Sequence, residues 1–358
     1  MLGVGGPAAL TRLRVGRVFV PRLFWRHSYC VDALIGHGAF SSVYAATSLE
    51  HGSRVSLKIL NHGHLELETG LVEVAMHARI LRADPQGQRP LLRMLACFYH
   101  RERLVLVTER LYGSVLAHYM HLETTGERAQ YYTGATMASM ARQMLDALGF
   151  LHALGVAHCD VKPANICLID PVARTFKLID FGHALTAHDV HASYAQSRWY
   201  RAPEVILGVP WGESVDVFGL ALALAEAATG GALFQFGASA LVLAAQRAVL
   251  GPLPAWMVQA NPAVAQTVLT ASGTAYEIDP PGMPAGAYLV RPTSGGGAGG
   301  GPVDVSLGAL LGARLDPAVF GDVEGFVGLL ESLLALDPTQ RPTAAQASSH
   351  AWLAAAAA

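Results

Sequence analysis

The spacing of apolar and polar residues divides the chain into two stretches of different character. Residues 28 to 60 alternate short apolar runs with glycines and small polar residues, which predicts strands joined by tight turns. Residues 68 to 83 change to a helical repeat, with Leu71, Val74, Ala75, Ala78 and Leu81 on related faces. Leu104-Val105-Leu106-Val107 follows as a short, fully apolar strand. The first 110 residues therefore predict a small, mostly β lobe carrying one helix.

Beyond that point the pattern is helical. Met137 to His152 is a long amphipathic stretch that ends before Gly155, a helix stop. Residues 216 to 230 and 323 to 336 predict further helices. The most apolar stretch, Val217 to Leu233, contains Glu226 and Thr229-Gly230-Gly231. It is too short and too interrupted to span a bilayer and reads as a buried core helix. The segment 277 to 305 holds Pro280-Pro281, Pro284, Pro292 and a glycine-rich run from Ser294 to Pro302, which predicts a flexible insertion. No internal repeat is present.

Composition narrows the possibilities. At 358 residues the chain is long enough for two lobes with separate cores. Net charge is -2 and charged residues make up only 15%, so no basic excess points to nucleic acid. Cys30, Cys97, Cys159 and Cys167 lack paired CxxC spacing, which argues against a zinc site or a disulfide framework and suits a reduced intracellular compartment, cytoplasmic or nuclear. The first 31 residues hold Arg12, Arg14, Arg17, Arg22 and Arg26 and no acid. That charge is like a transit peptide, but Pro21 interrupts an amphipathic helix, and a basic extension leading into the first strand is the simpler reading.

The chemistry-bearing residues come in a fixed order. Gly36-His37-Gly38-Ala39-Phe40-Ser41-Ser42-Val43 is a Gly-rich turn between two strands, with Ser41 where a third glycine is usual. Glycines allow a backbone to approach phosphates closely, and Val43 can cover a flat base. Lys58 lies in the apolar strand Val55-Ser56-Leu57-Lys58, where an unpaired charge would be costly. Glu73 on the following helix can reach it; Glu66 and Glu68 fall outside the apolar repeat.

Three motifs then follow: His158-Cys159-Asp160-Val161-Lys162-Pro163-Ala164-Asn165, Asp180-Phe181-Gly182 and Ala202-Pro203-Glu204. Together they supply a base, a lysine and two metal ligands, the equipment for moving a phosphoryl group from ATP to a hydroxyl. Lys58, oriented by Glu73, would hold the α- and β-phosphates. Asp160 would accept or orient the hydroxyl proton, Lys162 would stabilise the transferring group, and Asn165 and Asp180 would bind Mg²⁺ through oxygen. His158 reads as a packed structural histidine.

On these residues the chain, from about Tyr29 to Leu353, resembles a eukaryotic-type protein kinase. Ser193-Tyr194-Ala195-Gln196-Ser197-Arg198-Trp199-Tyr200-Arg201 and the Cys of His158-Cys159-Asp160 are similar to the dual-specificity tyrosine-regulated (DYRK-like) kinases of the CMGC group and, in the first motif, to their homeodomain-interacting relatives. The resemblance implies an α+β, two-lobed protein kinase fold: an extension over 1–28, a β-rich N-lobe over 29–111, a larger α-helical C-lobe over 112–353 and a tail over 354–358. It implies a hinge at Glu109-Arg110-Leu111, Thr108 guarding the back of the nucleotide pocket, and ATP held between the lobes by Gly36, Gly38, Ser41, Val43, Ser56, Lys58, Thr108, Glu109, Leu111 and Cys167. It also implies an Arg341–Glu204 pair, a catalytic loop braced by Asp216, and Tyr194 as an autophosphorylated regulatory tyrosine with Arg198 and Arg201 as its phosphate partners.

Four departures stand out: Ser56 for Ala and Cys167 for Leu against the adenine, Ala164 for a common Glu, and Ala192 where the regulatory doublet begins. The expected activity is ATP- and Mg²⁺-dependent phosphorylation of Ser or Thr on protein substrates by a monomer that binds neither nucleic acid nor membrane. The alternatives are a pseudokinase scaffold that keeps the fold and nucleotide binding without turnover, and a small-molecule kinase, which the peptide-groove motif disfavours.

Overall fold

A computed structural model describes residues 12–14, 28–38, 40–186, 195–265, 276–278, 290–292 and 306–355. The chain divides into two compact units. The first comprises Met1–Gln88, Leu92–Leu111 and Asp180–Gly182; the second comprises Arg89–Leu91, Tyr112–Ile179 and His183–Ala358. The main division thus falls between Leu111 and Tyr112, and the Asp180-Phe181-Gly182 triplet belongs to the smaller unit.

The smaller unit is an antiparallel sheet with one long helix. Its strands are β1 (Arg12–Arg14), β2 (Ser28–His37), β3 (Ser41–Ser48), β4 (Arg54–Leu60), β5 (Met94–His100) and β6 (Arg103–Glu109). They lie in the order β1-β2-β3-β4-β6-β5. β1 pairs with β2 through Arg12↔Cys30, so part of the N-terminal extension joins the sheet. The apolar run in β6 is buried on both faces from Leu104 to Thr108, because it is flanked by β4 and β5 and covered by packing. Leu57, Val105 and Val107 pack with Ala46, Val55 and Phe98 in one cluster, and Leu60, Leu104 and Leu106 form another.

Helix α1 (His64–Ala83) lies on this second cluster. A Cβ at Gly70 would come within 2.4 Å of a Leu60 methyl and 2.8 Å of a Leu104 methyl, so glycine lets the helix approach the sheet without displacing either side chain. The buried face of α1 is Gly70, Glu73, His77 and Ile80. This corrects the sequence expectation, since Leu71 and Leu81 are 51% and 40% exposed. Two of the four inward positions are polar, and an apolar search therefore selects a neighbouring face.

The larger unit is mostly helical. It contains α2 (Val115–Thr125), α3 (Arg128–Tyr131), α4 (Gly134–Ala153), α5 (Pro203–Leu207), α6 (Ser214–Thr229) and α7 (Ser239–Leu250), with shorter helices towards the C-terminus. Small sheets pair β7 (Gly113–Ser114), β9 (Ile166–Asp170) and β10 (Thr175–Leu178), and separately β8 (Val156–Ala157) with β11 (Leu185–Thr186). α4 ends at Ala153, and Gly155 takes φ +67 just beyond, the left-handed turn that glycine accommodates. α6 packs against α4, and every residue of it but Ser214 is buried. A helix apolar on all sides is the centre of its unit. No described helix is long and apolar enough to cross a membrane. Within the expected insertion, β12 (Tyr276–Ile278) pairs with β13 (Val290–Pro292); its other residues lie outside the described ones.

One ion pair fastens this core. Arg341 donates to both oxygens of Glu204 at 2.6 and 3.1 Å, and neither side chain is exposed. Its remaining N–H groups reach the carbonyls of Ser214 and Ala335, and its guanidinium lies 4.9 Å over the Phe218 ring. Removing one partner of such a pair leaves a buried charge unmatched. Arg341→Leu is expected to destabilise the protein by roughly 3–5 kcal/mol. The check is the denaturant midpoint of the variant against wild type, which should fall without a change in slope.

Candidate active site

The smaller unit places a lysine between two carboxylates. Lys58 faces α1 from β4, where Lys58 pairs with Leu106 and Ser56 with Thr108. Its ammonium donates to Glu73 Oε1 and Oε2 at 3.0 and 2.8 Å and to Asp180 Oδ1 at 2.8 Å. Burial opposes the charge on Lys58, but the two carboxylates more than offset it and hold its pKa above the ordinary value. Asp180 has a left-handed φ of +67, unusual for a non-glycine residue and found where function fixes the backbone.

Three consecutive residues dock along one stripe of α1. A Cβ on Gly182 would come within 2.9 Å of Thr69 Cγ2, so glycine lets the triplet lie against α1 without displacing that methyl. Asp180 meets Glu73 through Lys58, and Phe181 meets the edge of His77 at 5.0 Å between ring centroids. Thr69, Glu73 and His77 are four residues apart, which puts them on one helix face. The Nε2 of His77 is buried and has no hydrogen-bond partner among the described residues. Burial, reinforced by nearby Lys58, pushes the His77 pKa down to about 4.

The remaining expected nucleotide contacts of this unit are strand and turn residues. Gly38 N donates to Ser41 O at 2.9 Å, closing the turn between β2 and β3. Gly36 pairs with Val43 across those strands. Ser56 and Thr108 are buried, and the Thr108 hydroxyl donates to Glu109 O. Glu109 ends β6, its carboxylate accepting from Arg93 N at 2.8 Å, and Leu111 is buried beyond it.

The larger unit carries the loop from His158 to Asn165. Asp216, at the start of buried α6, accepts from His158 N at 2.7 Å, Cys159 N at 2.8 Å and the His152 ring at 2.9 Å. One carboxylate thus satisfies two loop amides and fixes the bend, in which Cys159 takes φ +63. The His158 ring bonds to Ile179 O and is wholly buried, as a structural histidine should be. Burial pushes the Cys159 thiol well up, with Asp216 adding to it, so it stays an uncharged core group.

Asp160 is held from four directions. Lys162 Nζ donates to Oδ2 at 2.7 Å and Asn165 Nδ2 to the same oxygen at 2.9 Å. Ser197 N and Oγ donate to Oδ1 at 3.2 and 2.7 Å. Lys162 also reaches Ser197 Oγ at 2.8 Å. Asn165 spends its amide nitrogen on Asp160, leaving its oxygen as the atom to offer a cation. Cys167 is buried in β9 opposite Ser114.

The segment after Ala195 is tied down by its own backbone. Arg201 donates to Ala195 O, Gln196 O and Ser239 Oγ, while Arg198 reaches Gly237 O. Tyr194 and Ala192 lie outside the described residues. Tyr200 and Tyr119 both donate to the buried carboxylate of Glu226, at 2.5 and 2.6 Å.

Sequence reasoning singles out none of His77, Ser197, Tyr119, Tyr200 or Glu226 as a site residue. Glu226 shows in the sequence only as an interruption of an apolar run, which is itself the signal that a buried acid needs partners.

Comparison with known proteins agrees with this geometry. A family model described as the protein kinase domain matches residues 29–353. Serine/threonine-protein kinase ppk5 of Schizosaccharomyces pombe is 35% identical over 231 residues, 64% of this chain and 27% of that protein. DYRK-family kinase pom1 of the same organism is 33% identical over 226 residues, 63% of this chain and 20% of that protein. Serine/threonine-protein kinase AFC1 of Arabidopsis thaliana is 29% identical over 269 residues, 68% of this chain and 55% of that protein. The chain thus spans between a fifth and just over half the length of these relatives.

The neutral His77 gives a pH signature. Unfolded, a histidine binds its proton near pH 6.5, whereas folded His77 does so only near pH 4. Between these values the unfolded state holds more protons, so stability is lost as pH falls through the window. His77→Leu removes this term, worth at most about 3 kcal/mol. Its melting temperature should therefore fall less than that of wild type between pH 6.5 and 4.5, a comparison made by thermal scans across that range.

Proposed function

The chain belongs to the protein kinase family, and on that footing we propose that it transfers the γ-phosphoryl group of ATP to Ser or Thr hydroxyls of protein substrates. The observation that carries this reading is the Lys58 ammonium held within 3.0 Å of both Glu73 and Asp180. A lysine so preorganised is ready to take phosphate oxygens without first finding its place.

Asp160 orients the acceptor. With Oδ2 shared by Lys162 and Asn165 and Oδ1 by Ser197, its carboxylate is fixed before substrate arrives. A Ser or Thr hydroxyl placed against it donates its proton towards Asp160 as the oxygen attacks phosphorus. The new O–P bond forms as the bond to the β-phosphate oxygen breaks, and ADP leaves. Lys162, 2.7 Å from Asp160, is the cation that would meet the phosphoryl group arriving at that carboxylate.

The donor set suits Mg²⁺. Asn165 and Asp180 offer oxygen, and among the described residues no cluster of three or more His, Cys, Asp or Glu forms a metal cage. Mg²⁺ is commonly held by one or two protein oxygens together with nucleotide phosphates and water. Held by either residue, it would neutralise charge developing on the phosphates.

Similarity to DYRK-family relatives supports the CMGC assignment within this reading, while Ala164 removes the acid that would favour arginine near the target residue. A pseudokinase scaffold fits less well, because Lys58, Glu73, Asp160, Lys162, Asn165 and Asp180 all have the residue types that turnover needs.

Phosphotransfer to a generic protein acceptor such as casein, with radiolabelled ATP and Mg²⁺, tests the reading. Asp180→Asn and Lys58→Met should each lower the rate by ~10²–10³ while remaining folded. Near-normal turnover in both variants would remove these residues from the mechanism.

A further inference from the structure

Among the described residues, a carboxylate at the centre of the larger unit forms no ion pair with a cation. Glu226 is 3% exposed on a helix that is apolar on all sides. Among the described residues its hydrogen bonds come from two phenols, Tyr119 on α2 and Tyr200 in the turn before Ala202-Pro203-Glu204. Burying an acid is costly unless donors meet it, so each phenol is needed. Burial, with Glu226 adding to it, pushes both phenols well above their ordinary pKa, and both therefore keep the proton they donate.

The two tyrosines differ in what they hold. Tyr119 is buried on α2, whose first turn is capped by Ser114, and Ser114 is paired to Cys167 in β9. It is attached to the rigid body of the unit. Tyr200 ends a single 3-10 turn, Arg198–Tyr200, and its backbone N–H donates to Ser197 O at 2.9 Å. Ser197 in turn donates to Asp160 at 2.7 Å and accepts from Lys162 at 2.8 Å. A continuous chain of hydrogen bonds thus runs from Tyr119 through Glu226 and Tyr200 to the groups beside the acceptor hydroxyl.

We propose that Tyr119 is a positioning residue for peptide phosphorylation: by fixing Glu226 it fixes Tyr200, and with it the Ser197–Tyr200 turn that aligns Asp160 and Lys162. The inference rests on the kinase reading of Asp160. Tyr119 spends its hydroxyl on Glu226, so its removal should act on the protein acceptor and leave nucleotide binding alone. A tyrosine that only fills the core would show no such split.

Tyr119→Phe keeps the ring and deletes one donor. Its kcat/KM for a protein acceptor should fall roughly five- to tenfold, the range of one hydrogen bond to a charged group only partly transmitted. KM for ATP should stay within about twofold of wild type, because the lost donor acts only through the acceptor turn. Hydrogen exchange at the Tyr200 amide should quicken, because that amide reports the turn directly. Tyr132→Phe is the control: Tyr132 is equally buried, but its hydroxyl meets His118 and Val115 O. It should leave both readouts as in wild type.

Tyr119 and Tyr200 should also be coupled, so that Tyr119→Phe has little further effect once Tyr200→Phe is present. The proposal is overturned if Tyr119→Phe matches wild type in both readouts, if Tyr132→Phe reproduces its changes, or if the two tyrosine variants are additive. Should wild type transfer no phosphate at all, the kinase reading fails, and the exchange measurement alone still decides whether Tyr119 holds the turn.

Discussion

An ammonium group shared between two carboxylates governs the smaller unit. Lys58 can sit in an apolar strand only because Glu73 and Asp180 meet it, and each of those must be delivered by another element. Glu73 requires α1 to approach the sheet closely, which Gly70 permits. Asp180 requires its triplet to lie along α1, which Gly182 permits and Phe181 secures against His77. The helix register, two glycines and a left-handed aspartate are all consequences of satisfying one buried charge. The same charge is what a phosphate would use.

The larger unit applies the same constraint with the signs reversed. Its central helix is apolar except where Asp216 and Glu226 enter it, and each acid is met by donors chosen for a task. Asp216 takes two loop amides and thereby shapes the run that ends in Asp160. Glu226 takes two phenols and thereby fixes the turn that begins at Ser197. Glu204 is met by a full guanidinium, whose donors are all bonded. Glu204, facing a guanidinium, fastens the core; Asp216 and Glu226, met by amides and phenols, position a loop and a turn.

Much of this was legible in the residue order. The apolar run 104–107, the helix stop at Gly155 and the reach from Lys58 to Glu73 follow from periodicity and from the cost of burying charge. The face of α1 did not follow, because the inward positions carry Glu73, His77 and Gly70, and a hydrophobic search passes over all three. Ser197, Tyr119 and Tyr200 were silent for another reason. A hydroxyl has no spacing rule, and its role appears only when folding brings a carboxylate from a distant helix or loop within 2.7 Å of it.

Cys159 shows how little the loop depends on the side chain at its bend. The backbone there is left-handed, and it is held by the amides of His158 and Cys159 on Asp216, bonds that any residue could make. An arginine in this place would add a cation, whereas a buried neutral thiol adds only packing. Downstream, Arg201 turns its guanidinium to the carbonyls of Ala195 and Gln196, and Gln196 bonds to Tyr200 O, Val215 O and Ala202 N. The described part of this segment is therefore held by backbone carbonyls and amides together with the side chains of Ser239, Asp160 and Glu226.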